Sequence, residues 1–494
     1  MAVLKLPESA FTFSMFVNGK AVSSSSGETL QRFSPGHGVH VTTIPAGTRA
    51  DTEQAIQVAR QCFDAGHWAN LPSSERSAIL LQASVLIKRD LERLAYLECL
   101  ETGKPISQAR GEIGAAAETW RYAAGALRNL SGETFNNQGS AMLALVLRQP
   151  VGVVGLILPW NFPFLLLGER LPFILAAGCT VVCKPSEATS ATAIEMAKLL
   201  QEAGLPDGVF NVVTGTGPEV GQVLLDSPHI DKLSFTGSSL VGKKALAAAA
   251  GNIKGLGLEL GGKNPHIVFA DADLEQAADG VAFGMAFNAG QCCVGGSRLI
   301  VQDTVQAEFL RLLSQKLGKI RTGDPLDEAT QVGALFDAGH QQKVLGYIER
   351  GIKAGGKVLC GGKAMESKGY FIEPTLISGA SMQAEISREE IFGPVLTTYT
   401  FKTYEEAIQL ANDSQYGLSA SIWSSGLDNA MRAVRDIEAG RVWVNTTLEN
   451  GPEMPLGGMK SSGMGRESGM MGIEEYTEVK SVNIRLAKKP LWLD

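Results

Sequence analysis

Cysteine is scarce in this chain of 494 residues, and its thiols are scattered. Small secreted domains that depend on disulfides carry many cysteines at paired spacings, and no such framework is present here. We therefore expect reduced thiols and a cytoplasmic protein. The cysteines are Cys62, Cys99, Cys179, Cys183, Cys292, Cys293 and Cys360.

Basic clusters and long apolar runs are missing as well. The formal net charge is -7 and Lys and Arg form no dense patch, so neither nucleic acid nor a membrane surface is an expected partner. Residues 1–20 lack the basic start and apolar stretch of a secretory signal. The uncharged run that begins at Val151 is shorter than the ~20 residues that span a bilayer, and Pro159 and Pro163 interrupt it. No metal site is predicted.

Glycine and apolar residues are abundant instead. With 56 glycines, 45% hydrophobic residues and a length too great for one ordinary core, the sequence is typical of an α/β enzyme with at least two domains. Residues 51–127 are predicted to be helical, because apolar residues recur at helical spacing between Ile79 and Ile87. Asp51, followed three residues later by Gln54, resembles a helix start.

The pattern changes at residue 151, where short apolar runs begin to alternate with helical segments. Such runs are usually strands of a parallel sheet with helices on both faces. We predict a doubly wound, nucleotide-binding fold up to residue 260 and a second α/β domain after Pro265. The predicted strands are 151–158, 180–184, 209–213, 231–235, 255–260, 266–270, 297–302, 357–362, 395–401, 418–423 and 441–445.

Polar residues that follow predicted strands are the candidates for chemistry, because ligands of open α/β sheets bind beyond the carboxyl ends of the strands. Asn161 lies among aromatic residues in PWNFP, where a buried amide needs a partner and can serve an oxyanion. Gly237 and Ser238 begin a helix whose free N–H groups favour a phosphate, with a plain tight turn as the alternative. Lys184 and Glu187 flank a predicted helix start and can reach a polar ligand, with a solvated ion pair as the alternative.

Seven motifs follow one another along the chain: PWNFP (159–163), KPSE (184–187), FTGS (235–238), LELGGKNP (258–265), GQCC (290–293), EEIFGPV (389–395) and GRESG (465–469). In this combination and order the chain resembles the aldehyde dehydrogenase superfamily from about residue 15 to the C-terminus. The resemblance implies NAD(P)-dependent oxidation of an aldehyde to a carboxylic acid by a homodimer or homotetramer.

The neighbouring thiols Cys292 and Cys293 can be a redox pair, half a metal site, packing or a nucleophile. The family pattern G-Q-x-C implies that Cys293 is the nucleophile, and we interpret Cys292 as inert. The resemblance further implies that Asn161 and the Cys293 N–H hold the oxyanion of a thiohemiacetal. Glu259 matches the base that activates water to hydrolyse the thioester, and a carboxylate among leucines should have a raised pKa that suits this role.

The resemblance also implies the cofactor contacts, three pairs of residues for three parts of the dinucleotide. Lys184 and Glu187 would contact the adenine ribose. Trp160 and Ser238 would contact the pyrophosphate, and Glu390 and Phe392 the nicotinamide ribose and ring. A carboxylate at Glu187 repels a 2′-phosphate, so we expect NAD over NADP. Glu467 matches a proton-relay position of some branches.

Substrate selection rests on a departure from the family. Many members place tryptophan and lysine where this chain has Glu169 and Arg170, and an arginine keeps its proton at ordinary pH, which argues against a relay there. Glu169, with Glu453, is expected to attract an amino- or ammonium-bearing aldehyde. The alternatives are that Glu169 pairs with Arg170 or another cation and faces away, and that the apolar sleeve takes an uncharged aldehyde. The implied tunnel residues are Phe162, Leu166, Glu169, Cys292, Val294 and Leu456.

The implied domains are an NAD-binding domain of Rossmann type (1–127 and 151–259), a catalytic domain (260–456) and an oligomerisation segment (128–150 and 477–494). The segments 141–150 and 477–486 alternate polar and apolar residues and are the candidate flap, with an ordinary edge strand as the alternative. A CoA-acylating relative generally lacks the glutamate base that is present here. A non-catalytic structural member would lose the nucleophile, the base or the amide.

Overall fold

The computed structural model describes residues 4–493, so residues 1–3 of the segment considered for a signal, and Asp494 of the predicted oligomerisation segment, lie outside the described residues. The chain begins with a small sheet, in which the strand His40–Pro45 pairs parallel with Phe11–Thr12 and antiparallel with Thr29–Phe33. This sheet packs against the helices that follow and brings Arg32 to the buried Glu101.

The region 51–127 is helical, as predicted. Its first helix is capped by Thr48, whose hydroxyl accepts from the Asp51 N–H at 3.2 Å, while the Asp51 carboxylate accepts from the Thr48 N–H. The prediction that Asp51 starts the helix was therefore wrong. Thr48 is the N-cap, and Asp51 lies in the first turn as the other residue of the capping box. The helices are Arg49–Asp64, Ser73–Arg89, Leu91–Thr102 and Ile106–Ala126.

An eight-stranded sheet forms the doubly wound fold that the sequence predicts. Its five central strands are parallel and the chain reverses its direction of winding between Val153–Ile157 and Lys232–Thr236, which are neighbours. A ligand of such a sheet binds at this switch point. In spatial order the strands are Gly463–Met464, Gly255–Glu259, Lys232–Thr236, Val153–Ile157, Thr180–Lys184, Phe210–Val212, Met15–Val17 and Lys20–Val22. Its connecting helices are Pro163–Gly168, Leu171–Ala177, Ala191–Glu202, Gln222–Asp226 and Ser239–Ala249.

A second, seven-stranded sheet contains the remaining predicted strands. Its first strand begins at Asn264, ahead of Pro265, because the register shifts between these two residues and lets the proline enter the sheet. In spatial order the strands are Lys357–Cys360, Thr375–Ser378, Val395–Phe401, Gly296–Gln302, Asn264–Val268, Ser419–Trp423 and Arg441–Val444. The helices of this part are Leu274–Ala286, Gln306–Leu317, Ala338–Lys353, Glu385–Arg388, Tyr404–Asn412 and Leu427–Asp436.

The two alternating segments pair with each other in a third sheet. Strand Thr477–Arg485 runs antiparallel to Met142–Pro150, which also pairs with Glu133–Phe135. Within the described chain Thr477–Arg485 has no strand on its other side. The short helix Gly469–Glu474 leads into it, and a two-stranded sheet of Tyr416–Gly417 and Met459–Lys460 lies nearby in the chain. No helix formed by residues 4–493 is both apolar and long enough to cross a membrane.

Candidate active site

The candidate site forms where the carboxyl ends of the first sheet meet the loop that carries the two neighbouring thiols. Asn161 follows the strand Val153–Ile157, and Glu259 ends the strand Gly255–Glu259. The thiols follow the helix Leu274–Ala286 and precede the strand Gly296–Gln302. A cavity of about 1240 Å³ reaches both thiols from the surface.

The loop before the thiols has a conformation that only some residues allow. Asn288 and Ala289 are left-handed, with φ of 51° and 55°, and Gly290 follows with φ of 71°. A Cβ on Gly290 would lie 2.2 Å from the backbone of Gly393, so no other residue fits. The glycine of GQCC therefore lets this loop pack directly against EEIFGPV.

The two thiols have different surroundings. Cys292 is buried among core residues, and burial raises the pKa of its thiol to about 12. Cys293 is half-buried and lines the cavity, with its pKa also raised well above the ordinary value by burial and by the neighbouring Cys292 and Glu390. Both are free thiols. Within residues 4–493 no three His, Cys, Asp or Glu side chains are grouped as metal ligands. Cys293 is thus a reachable thiol that needs a base.

Asn161 is held by hydrogen bonds on both sides. Its Nδ2 donates to the carbonyl oxygen of Gln291 at 3.0 Å, and its own carbonyl accepts from Asn288 Nδ2 at 2.9 Å. An amide nitrogen carries two hydrogens, and this hydrogen bond uses one of them. The partner that the buried amide was expected to need is the backbone next to Cys292.

Glu259 is buried at the end of its strand, and its Oε1 has no hydrogen-bond partner. Burial raises its pKa to about 8, while the guanidinium of Arg170 opposes the rise. The raised pKa expected from the leucine-rich sequence is therefore found. A carboxylate in this state can take a proton near neutral pH.

A second buried carboxylate lies behind Arg170. Glu467 accepts from the hydroxyl of Tyr476 at 3.0 Å and from Ser234 at 3.2 Å. Its pKa is raised by burial, and the Arg170 guanidinium counteracts this. Arg170 is itself buried, donates to the Leu166 carbonyl at 3.2 Å, and leaves Nε and Nη2 without a hydrogen bond.

The adenine-side residues lie at the predicted edge of the sheet. Lys184 Nζ is 3.1 Å from the Glu187 carboxylate and also donates to the Pro185 carbonyl. The two side chains form an ion pair, but it is not the solvated pair of the alternative, because Lys184 is buried. The next helix begins only at Ala191, which corrects the expectation that the pair flanks a helix start. At the same edge the hydroxyl of Thr236 is buried without a partner, so polar groups remain that fit the hydroxyls and phosphates of a dinucleotide.

Ser238 and Gly237 behave differently from each other. Ser238 is the N-cap of the helix Ser239–Ala249 and its hydroxyl accepts from the Val241 N–H at 3.4 Å, as expected for a helix start. The Gly237 N–H donates to the Glu259 carbonyl at 3.1 Å. It is therefore not the free donor for a phosphate that the sequence suggested, because the strand pairing extends to this residue.

The nicotinamide-side residues are fixed in place. Glu390 accepts from the Gly262 N–H at 3.0 Å, and burial raises its pKa to about 7. Phe392 is left-handed, with φ of 61°, and its ring meets Trp160 edge to face at 5.5 Å. Trp160 stacks on Phe336 with ring centroids 4.1 Å apart. Phe336 was not anticipated, because a single phenylalanine in a loop gives no sequence signal.

The structure gathers every predicted tunnel residue at one cavity wall. Glu169 lines this cavity, and among residues 4–493 its carboxylate has neither a hydrogen bond nor an ion pair within 4.0 Å. The alternative in which it pairs with Arg170 is wrong, since Arg170 points to Glu467. The predicted residues that line the cavity are Phe162, Leu166, Glu169, Cys292, Val294, Glu453 and Leu456.

Phe287 and Arg441 are among the cavity residues that sequence reasoning missed. Phe287 stacks on Phe162 with centroids 5.9 Å apart and completes an aromatic wall, and its place just before GQCC was the available signal. Arg441 begins a strand of the second sheet, where a lone arginine signals nothing, and its guanidinium donates to the carbonyls of Met454 and Pro455 at 3.2 and 3.1 Å. These hydrogen bonds hold the loop that contains Met454 and Pro455, part of which lines the cavity.

Comparison with known proteins shows the family. The model of the Aldehyde dehydrogenase family matches residues 21–482. Betaine aldehyde dehydrogenase of Bacillus subtilis (strain 168) is 42% identical over 95% of this chain and 96% of its own length. The crystal structure of an NAD-dependent aldehyde dehydrogenase from Sinorhizobium meliloti is 49% identical with a TM-score of 0.97, over 98% of this chain and 97% of that one. An E. coli NADP-dependent enzyme has 38% identity and a TM-score of 0.94, over 96% and 98%.

The chain belongs to the aldehyde dehydrogenase family. It is an enzyme that oxidises an aldehyde to the carboxylic acid with NAD(P). Neither a CoA-acylating nor a non-catalytic reading is favoured.

Proposed function

We propose that Cys293 is the nucleophile of this oxidation. The observation that carries the proposal is the difference in exposure of the two thiols: Cys293 is half-buried on the cavity, whereas Cys292, although it also touches the cavity, is 7% exposed and packs into the core. Attack by the thiolate on the aldehyde carbon forms a thiohemiacetal. Because burial keeps the thiol protonated, its proton must pass to water or to a base before the attack.

Asn161 would stabilise the oxyanion of the thiohemiacetal, together with the Cys293 N–H. The hydrogen bond to Gln291 uses one amide hydrogen and fixes the direction of the other. A donor oriented before the reaction stabilises developing charge without a reorganisation cost. NAD held by the cofactor residues named below would supply the hydride acceptor, and loss of hydride from the thiohemiacetal carbon would leave a thioester on Cys293. Glu259 then deprotonates a water that releases the acid.

Cofactor binding is proposed for the three pairs at the sheet edge: Lys184 with Glu187 for the adenine ribose, Trp160 with Ser238 for the pyrophosphate, and Glu390 with Phe392 for the nicotinamide. The Gly237 N–H is excluded as a phosphate donor, since it is occupied. The Glu187 side chain is 45% exposed, so it can meet a ribose, and its negative charge favours NAD over NADP. Glu467 is proposed to receive protons through Tyr476 or water, with Arg170 as a fixed charge.

Assembly and domain roles extend the proposal. We infer a homodimer or homotetramer in the cytoplasm, with 128–150 and 477–494 as the oligomerisation segment. The free edge of Thr477–Arg485 supports this, because its backbone can pair with a strand of another copy. The stretches 1–127 and 151–259 would bind NAD, and 260–456 would carry the catalytic loop.

The proposed substrate is an aldehyde with an amino or ammonium group, directed by Glu169 and Glu453. The unpartnered carboxylate of Glu169 beside the reacting thiol supports this choice. The aromatic and aliphatic walls also suit an uncharged aldehyde, which is the second candidate.

The test of the nucleophile compares two single variants. Cys293→Ala should abolish both aldehyde oxidation and acyl-ester hydrolysis, because both need the same thiolate. Cys292→Ala should keep most of both activities and serves as the matched control. Loss of activity in Cys292→Ala with retention in Cys293→Ala would exchange the two roles.

A further inference from the structure

Arg32 is distant from the thiols in sequence, yet it contacts Phe336, a residue that packs against the candidate active site. Its Nε donates to the Glu101 carbonyl at 2.9 Å and its Nη2 to the Phe336 carbonyl at 2.9 Å. The guanidinium also covers the Phe336 ring, 4.4 Å from the centroid. Arg32 thus holds both the backbone and the ring of Phe336.

Phe336 passes this constraint on in two directions. The indole of Trp160 stacks on the Phe336 ring, with centroids 4.1 Å apart and an interplanar angle of 20°. Its N–H donates to the side-chain oxygen of Gln291 at 2.8 Å. Gln291 also donates from Nε2 to the Asn288 carbonyl at 3.0 Å, so the amide side chain joins two loops.

Both routes end at Asn161. Trp160 precedes it in the chain, so the ring stack sets the backbone position of the PWNFP turn. Gln291 accepts the Asn161 amide at its carbonyl oxygen, so the same residue that Phe336 fixes also orients the amide. Phe336 therefore helps to fix both the backbone position of Asn161 and the direction of its side-chain amide. Together these determine where the proposed oxyanion donor points.

We propose that Arg32 is a positioning residue for Asn161 and acts through Phe336. The proposal rests on the proposed function, in which the Asn161 amide stabilises the oxyanion. Arginine suits the task because its planar fork donates to two carbonyls while its face stacks on a ring, which the point charge of lysine cannot reproduce. An oxyanion donor displaced by a fraction of an ångström loses much of its effect.

The experiment is a double-mutant cycle with the full-length enzyme, read as kcat/KM for an aldehyde at saturating NAD. Arg32→Met should lower kcat/KM by roughly tenfold, and Arg32→Lys should remain impaired. Gln31→Met, on the neighbouring exposed position of the same strand, is the control and should equal the parent. Thermal unfolding and the NAD dissociation constant are measured for each variant, because Phe336 also stacks on Trp160, a proposed cofactor contact.

The decisive comparison adds Arg32→Met to Asn161→Ala. If Arg32 acts through Asn161, the double variant is no worse than Asn161→Ala alone. A further loss equal to that in the parent overturns the inference, as does an Arg32→Met enzyme with parental activity or with a weakened NAD affinity that accounts for the loss. An Asn161→Ala enzyme with full activity would instead refute the proposed function of Asn161.

A second variant covers the case in which Arg32→Met does not fold. Phe336→Leu removes the ring stack and keeps both backbone hydrogen bonds. It should lower kcat/KM in the parent and have no effect in the Asn161→Ala background. Equal effects in both backgrounds would overturn the inference.

Discussion

Arg170 lies 3.8 Å from Glu467, measured from Nε to Oε1, and both side chains are buried. The same guanidinium lowers the pKa of Glu259 against the larger effect of burial. The Arg170 guanidinium therefore acts on both carboxylates of the proposed proton path, Glu259 and Glu467. It leaves Glu259 with a pKa of about 8, so the base is mostly protonated at neutral pH.

The hydrolysis step should depend on the deprotonated form of Glu259. Turnover is expected to rise with pH and to reach half of its plateau near pH 8, because only the carboxylate can accept the proton of water. Glu259→Gln should spare the initial burst of NADH while steady turnover falls by roughly a hundredfold. Rapid mixing records the burst, and mass spectrometry of the quenched protein detects the accumulated thioester.

Glu467→Gln is the comparison for this variant, because it removes a nearby buried carboxylate that does not contact the thioester in the proposal. It should reduce turnover less than Glu259→Gln does. A burst suppressed as strongly as turnover in Glu259→Gln would mean that this residue also takes the proton of the thiol.

Cofactor choice is expected to depend on Glu187. The parent should prefer NAD, since the carboxylate accepts ribose hydroxyls and repels a 2′-phosphate. Glu187→Gln should raise kcat/KM with NADP by about tenfold, because the repulsion is removed while Lys184 remains to attract the phosphate. Glu202→Gln removes an equal charge from the end of the next helix and should leave the ratio unchanged. Equal efficiency of the parent with both cofactors would contradict the prediction.

His266 should make the fold sensitive to acid. It is fully buried with both ring nitrogens unpartnered, and burial lowers its pKa from 6.5 to about 4. The unfolded chain therefore binds a proton that the folded chain excludes, so stability is lost as pH falls from 6.5 toward 4. At pH 5 the contribution is about 2 kcal/mol relative to pH 7.5.

Denaturant unfolding at pH 7.5 and pH 5 measures this effect. His266→Asn removes the titration, so its stability should fall by about 2 kcal/mol less than that of the parent over the same interval. His229→Asn, at an exposed histidine, should follow the parent. Parallel losses in the parent and in His266→Asn would show that other groups cause the acid sensitivity.

Sequence reasoning predicted the elements well because local patterns determine them. The strand Thr180–Lys184 matches its predicted bounds, since a run of β-branched residues between a turn and a proline leaves little choice. The raised pKa of Glu259 followed from the leucines on its own strand. Such features need only neighbours in the chain.

Contacts between distant segments were not predictable. Arg32 and Phe336 are 304 residues apart, and neither belongs to a motif, so only the assembled sheets bring them together. The occupied N–H of Gly237 has the same cause, because its partner is the carbonyl of a residue on the next strand. Likewise, nothing local indicates that Arg170 faces Glu467, a residue near the other end of the chain.

Glu169 gives the last prediction, which concerns the charge of the substrate. Its carboxylate lines the cavity without a hydrogen bond or ion pair from residues 4–493, and burial raises its pKa. An ammonium group in the cavity would supply the missing partner and stabilise the ionised form. The Arg441 guanidinium opposes the rise in the Glu169 pKa, but it already donates hydrogen bonds to the carbonyls of Met454 and Pro455.

The matched substrates are trimethylammonioacetaldehyde and 3,3-dimethylbutanal, which have the same shape and differ in charge. We expect the parent to favour the cation by about tenfold in kcat/KM, because the two charges meet in a partly desolvated cavity. Glu169→Gln should abolish the preference, while Glu453→Gln, which removes a carboxylate farther out on the same wall, should reduce it only in part. If the parent prefers the uncharged aldehyde and Glu169→Gln leaves that ratio unmoved, the carboxylate does not select the substrate, and the aromatic wall of Phe162 and Phe287 does.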